Sequence, residues 1–163
     1  AKEIAIPNGY CATKKMHYYG VKLHVLGCYR KGSLPIPSYI GLTNAGLGDR
    51  KAYEQILPEL SENVFADKAY QKENKSILRD DSVLLHTPVK KQKRQKLLDS
   101  SDRLLSSAIS SIRQPIESFF NWLEEKTHIQ MASKVRSYNG LMVHVFGRIA
   151  AAFLILVERV TSS

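Results

Sequence analysis

Apolar and polar positions alternate along HYYGVKLHVL, from His17 to Leu26. His17, Tyr19, Val21, Leu23 and Val25 fall on one side, and Tyr18, Lys22, His24 and Leu26 on the other, which is the two-residue period of a strand. RKGS at 30–33 supplies a glycine-containing turn and SYIGLT at 38–43 a second β-rich run, so the two predict an antiparallel hairpin whose second strand is delayed by Pro35 and Pro37. NAGLGD at 44–49 ends the sheet. Asp49 or a neighbour then caps a helix to about Leu60, with Tyr53, Ile56, Leu57 and Leu60 at helical spacing. VFA at 64–66 reads as a short buried strand ending at Asp67, a second helix is expected from about Lys72 to Arg79, and VLLH at 83–86 suits an interior strand.

From Ser101 onward the period lengthens. Leu105, Ile109, Ile112, Ile116, Phe119, Phe120 and Leu123 recur in steps of three or four, the stripe of an amphipathic helix, with Pro115 expected to kink it or to begin a new helix near Gln114. After a loop containing SKVRS at 133–137, Leu141, Val145, Ile149, Ala152, Phe153, Leu156 and Val160 mark a long final helix that should cover the sheet. The order β, β, α, β, α, β before these helices predicts an α/β fold, a mixed sheet flanked by helices, in a single domain over 1–163.

Asp67 stands out in this pattern, because an aspartate is a poor way to finish a buried strand. Either it caps the next helix or it holds something positive. On the long helix Arg113, Glu117, Asn121 and Glu124 form a polar stripe beside the apolar one, where Glu117 is either a partner of Arg113 one turn away or a second acid facing Asp67. Two such carboxylates suit Mg²⁺, which is commonly held by one or two carboxylates plus waters and phosphate oxygens. A pair of ions roughly 4 Å apart stabilises both attacking and leaving oxygens in phosphodiester displacement.

Charge gives that chemistry a direction. The 163 residues carry 24 Lys and Arg against 15 Asp and Glu, a formal net charge of +9 that marks a polyanion binder. At 44% apolar and 24% charged residues the chain is neither disordered nor fibrous. KKQKRQK at 90–96 concentrates Lys90, Lys91, Lys93 and Arg94 in one loop, either a solvated segment or a DNA-facing one. Lys22, His24 and Tyr18 share a strand side, a cation, an imidazole and a ring able to contact phosphate and a base, or else an ordinary solvated strand face. Cys11 and Cys28 have neither redox nor zinc spacing, so a reduced cytosolic setting is expected. The N-terminus lacks the apolar region of a signal peptide. The stretch from Met142 to Val157, broken by His144 and Arg148, is expected to be too short to span a bilayer.

Four blocks in order, YYGVKLH at 18–24, VFADKAY at 64–70, RQPIESFFNWL at 113–123 and SKVRSYNGL at 133–141, resemble the DDE transposases of bacterial insertion sequences, over nearly the whole chain. The resemblance implies an RNase H-like fold in which a five-stranded mixed sheet brings three acidic residues together around two divalent ions, Mg²⁺ or Mn²⁺. By position Asp67 matches the second acid and Glu117 the third, while Arg113 matches a basic residue near the DNA. It also implies double-stranded DNA as partner, both element ends and target, a possible homodimer in the active complex, and a cytoplasmic, nucleoid-associated setting.

Two departures accompany it. The first acid is expected on a strand upstream of GYCATKK, where only Ala1 to Asn8 precede and Glu3 is too close; the chain is therefore read as N-terminally truncated, and as inactive alone unless another segment supplies that acid. A lysine one or two turns after the third acid occurs in some relatives, but Glu124 and Glu125 hold the nearer positions here and Lys126 comes later. The function expected is metal-dependent cleavage and strand transfer at element ends. Asp67 and Glu117 would hold metal, Arg113 and Lys22 would bind phosphate, and His24 would orient substrate or water. The rivals are a DNA-binding remnant without chemistry and a structural α/β protein with incidental basicity.

Overall fold

The computed structural model describes residues 9–11, 15–18, 20–56, 62–71, 75–80, 83–132 and 135–161. Among the described residues seven strands and three α-helices follow in the order β1 (Gly9–Cys11), β2 (Met16–Tyr18), β3 (Val21–Cys28), β4 (Ile36–Asn44), α1 (Asp49–Ile56), β5 (Glu62–Phe65), β6 (Ile77–Asp80), β7 (Val83–His86), α2 (Ser100–Thr127) and α3 (Tyr138–Thr161). Among the described residues the strands form three small sheets, β1 with β2, β3 with β4, and the order β5-β7-β6. In the last of these β5 runs parallel to β7 and β6 antiparallel, so the expected mixed pairing is present, on a smaller scale than one five-stranded sheet.

The run from His17 to Leu26 is two strands rather than one. Gly20 separates β2 from β3 with φ at 150°, a conformation side chains rarely adopt, and its carbonyl accepts from Ala45 N at 3.2 Å. The RKGS turn is closed by Ser33 N donating to Arg30 O at 3.4 Å, and β3 pairs with β4 as the hairpin reading requires. β4 begins at Ile36, earlier than its prolines suggest, and takes in Pro37; a proline is tolerated at a strand's start. A Cβ on Gly27 would lie 2.9 Å from Pro35 and 3.1 Å from Ile116, so the close approach of β3 to both requires glycine.

The helix expected from Lys72 to Arg79 is not formed. Residues 77–80 are β6, paired antiparallel with β7 in the register Leu78↔Leu85 and Asp80↔Val83, and 72–74 lie outside the described residues. Antiparallel pairing with β7 along the whole of β6 overrides a short helical pattern. α1 is described to Ile56, and its expected last turn at 57–60 lies outside the description.

No fresh helix begins near Gln114: α2 is one element through Pro115. Pro115 removes only its own N–H, leaving the Ser111 carbonyl without its helical donor, while Ile109, Phe119, Trp122 and Leu123 are buried on either side of it along the same helix.

The chain divides into two compact units. One comprises 1–22, 44–46 and 117–163, the other 23–43 and 47–116. The second has its core in Tyr53, Val64, Val83 and Leu85, with Leu26, Ala66 and Tyr70 packed against them. In the first, Phe119 and Leu123 of α2 and Leu141, Val145, Ile149 and Ala152 of α3 are buried, as their spacing predicts, Trp122 is buried beside them, and His144 Nε2 donates to Ile129 O at 3.0 Å. The rest of α3 is less covered, with Val143, Phe146, Leu154 and Val157 exposed. By length and composition the helix Tyr138–Glu158 is able to cross a membrane, which corrects the expectation that the stretch is too short; a core helix passes the same test.

Candidate active site

Asp67 does both things its position allows. The β5 ladder ends as Ala66 N donates to His86 O at 2.9 Å, and the chain turns into a 3₁₀ segment, Lys68–Tyr70, capped by Asp67. The Asp67 Oδ1 accepts from Lys68 N at 2.6 Å, and Tyr70 N donates to Asp67 O at 3.0 Å. The same Oδ1 lies 3.9 Å from Nη1 of Arg113, whose side chain is 15% exposed against 57% for Asp67. The strand and its capped turn thus mount a carboxylate at the surface with a largely buried guanidinium beside it. Both close contacts fall on Oδ1.

Tyr70 ties this turn to the hairpin. Its hydroxyl lies 3.4 Å from Nδ1 of His24 on β3, and His24 Nε2 is 2.8 Å from Thr43 Oγ1 on β4. Burial, reinforced by Asp49 and then Asp67 and opposed by Arg113, pushes the Tyr70 hydroxyl up to about 12. The hydroxyl therefore stays protonated at neutral pH and shares a hydrogen bond with Nδ1 of His24, whose Nε2 shares another with the Thr43 hydroxyl. Arg50 Nη1 donates to Tyr70 O at 3.4 Å and its guanidinium lies 4.8 Å over the Tyr53 ring, so α1 braces the same turn. Tyr53 meets Tyr70 edge to face at 6.4 Å.

Of the predicted residues, Asp67, Arg113 and His24 come together in one unit. His24 is buried, 8% exposed, and acts as an internal link rather than on a solvated strand face. Lys22, two residues before it on β3, is half-buried. Glu117 is exposed on α2 one turn beyond Arg113 and belongs to the other unit. Lys90, Lys91, Lys93 and Arg94 are all exposed, and their loop is folded: Lys91 Nζ donates to Lys96 O at 2.9 Å, Gln92 N to Gln95 Oε1 at 2.9 Å and Gln95 N to Gln92 O at 3.0 Å, with Arg94 at φ 74°. Lys126 pairs with its neighbour Glu125 at 2.7 Å.

Tyr70, Thr43 and Arg50 were not singled out by the sequence reading. Tyr70 follows Asp67 within one turn and was within reach of such reasoning; Thr43 and Arg50 enter only through pairing and packing between distant segments.

β5 thus ends in an exposed acid beside an arginine, and the long helix α2 carries Glu117. The sequence matches the transposase DDE domain family over residues 9–137. The chain belongs to the DDE transposase family. Comparison with curated proteins and with solved structures yields no match. The role of this transposase is in DNA transposition, its partner is DNA, and its family uses a divalent metal.

Asp67 fits that metal in donor type, as an exposed, hard carboxylate oxygen at the end of a rigid strand. Among the described residues no group of three or more His, Cys, Asp or Glu side chains stands close enough to hold an ion.

Proposed function

We propose that this transposase domain has an RNase H-like fold and performs metal-dependent phosphodiester cleavage and strand transfer at the ends of an insertion element. Asp67 and Glu117 would hold the divalent ion, Mg²⁺ or Mn²⁺. The observation that carries this reading is the mounting of Asp67, exposed at the end of β5 and beside Arg113, in a chain matched to the family over most of its length. When bound, the metal supplies positive charge for the attacking and leaving oxygens.

The chain's own residues hold the DNA. Arg113 is placed to share its guanidinium between Asp67 and a phosphate oxygen, and Lys22 with the loop cations Lys90, Lys91, Lys93 and Arg94 steers the duplex. His24 acts from within, through Tyr70, by keeping the turn of Asp67 in place. In the first reaction water attacks the phosphorus and the 3′-oxygen leaves as a 3′-hydroxyl. In the second, that hydroxyl attacks a target phosphodiester and displaces its 3′-oxygen, so no covalent bond to the protein is needed.

Titration of the domain with Mn²⁺ tests this. Saturable binding that disappears in the Asp67→Asn, Glu117→Gln double variant supports it. Metal indifference alongside intact DNA binding would favour a remnant that has kept the fold and lost the chemistry.

A further inference from the structure

The β5-β7-β6 sheet turns Val64 and Leu85 into the core of its unit, so by alternation the intervening residues lie on the opposite face. That face carries Asn63 and Phe65 from β5, Leu84 and His86 from β7, and Ile77 and Arg79 from β6. It is open: Asn63, Ile77 and Arg79 are exposed, and Phe65, Leu84 and His86 are half-buried. Phe65 and His86, opposite one another in the register, stack at 4.7 Å between ring centroids and 14° between planes. His86 Nε2 donates to Asn63 Oδ1 at 2.8 Å, which fixes the imidazole plane. Burial lowers the His86 pKa, so the ring is neutral at neutral pH.

Among the described residues this face has the composition of a nucleotide platform: aligned rings, aliphatic side chains around them, an amide and a guanidinium. Arg79 has no ion-pair partner among the described residues. Among the described residues β5 is an edge of this sheet. The platform is also continuous with the DNA-acting parts of the chain. Asp67 follows Phe65 by two residues, and the basic loop begins at Lys90, four residues after His86. Stacking on a ring requires a base whose face is not occupied by its neighbour in a duplex.

We infer that this sheet face binds unpaired DNA, one base stacking on the Phe65–His86 pair, Asn63 meeting a base edge and Arg79 a phosphate. The inference rests on the reading that the chain acts on DNA at Asp67, and places an unwound segment beside the cleaved phosphate.

Fluorescence anisotropy with an oligodeoxythymidine and with a duplex of equal length, both in EDTA, tests it independently of metal. Wild type is expected to bind the single strand. Phe65→Leu should weaken that binding about tenfold and leave duplex binding unchanged, and Phe65→Tyr should restore it. Arg79→Gln, a surface change with little bearing on folding, should lower the salt slope for the single strand by about one phosphate contact. Single-strand binding that is absent in wild type, or unaltered in both Phe65→Leu and Arg79→Gln, overturns the inference. So does self-association in sedimentation that Phe65→Leu abolishes without changing DNA binding, because the face would then be a protein contact. None of these results touches the proposed chemistry, which fails separately if Mn²⁺ binding survives the loss of Asp67 and Glu117.

Discussion

The Tyr70 hydroxyl links the turn of Asp67 to His24, a buried histidine that also contacts Thr43. Tyr70→Phe removes that link and is expected to cost about 1 kcal/mol in urea unfolding. Because the folded state raises the Tyr70 pKa from 10.0 to about 12, the unfolded state loses its phenolic proton first as pH rises. Stability contributed by the neutral hydroxyl is therefore complete below pH 10 and declines between pH 10 and about 12, and a phenolate absorbance titration should show one tyrosine ionising late. His86 works in the acid direction. Its folded pKa lies below 6.5, so the unfolded state takes up the proton first and stability should decline as pH falls through 6.5, detectable as a falling melting temperature. Gly20 has open space where a Cβ would sit, so Gly20→Ala meets no clash. The expected loss of roughly 1–3 kcal/mol comes from backbone conformation alone.

At the scale of elements, most of what the sequence made legible came from strong periodicity. Ile109, Phe119, Leu123, Leu141, Val145 and Ile149 are all buried where a helical stripe predicts, and VLLH is the central strand of its sheet. The stretch 72–79 was misread because eight residues are too few to separate helical from strand periods, and the pairing that decides it lies in β7. At Pro115 the alternative of a fresh helix near Gln114 fails for the converse reason: local propensity favours a new start, but burial on both sides outweighs one lost hydrogen bond. Pro115→Ala restores the donor and should stabilise the domain by about 1–3 kcal/mol, read as a higher urea midpoint with unchanged slope. In the candidate site, Asp67 was legible because an acid at a buried strand's end is anomalous. The contribution of His24 through Tyr70 was not, because it depends on β3, β4 and the Asp67 turn meeting in space.

Across the whole molecule, a net charge of +9 predicts that binding to duplex DNA weakens with salt, log affinity falling by about 0.9 per phosphate contact for each decade. Neutralising Lys93 and Arg94 together should lower that slope by about two contacts and weaken binding evenly across DNA sequences, measured by anisotropy at several salt concentrations. The proposed chemistry, by contrast, assigns Asp67 and Glu117 as joint ligands of one cation. An anomalous difference map from a crystal of the transposase soaked in Mn²⁺ tests that directly. The account predicts a peak about 2 Å from a carboxylate oxygen of each of the two residues; peaks that contact neither, or that sit separately on Asp67 and on Glu117, would contradict it.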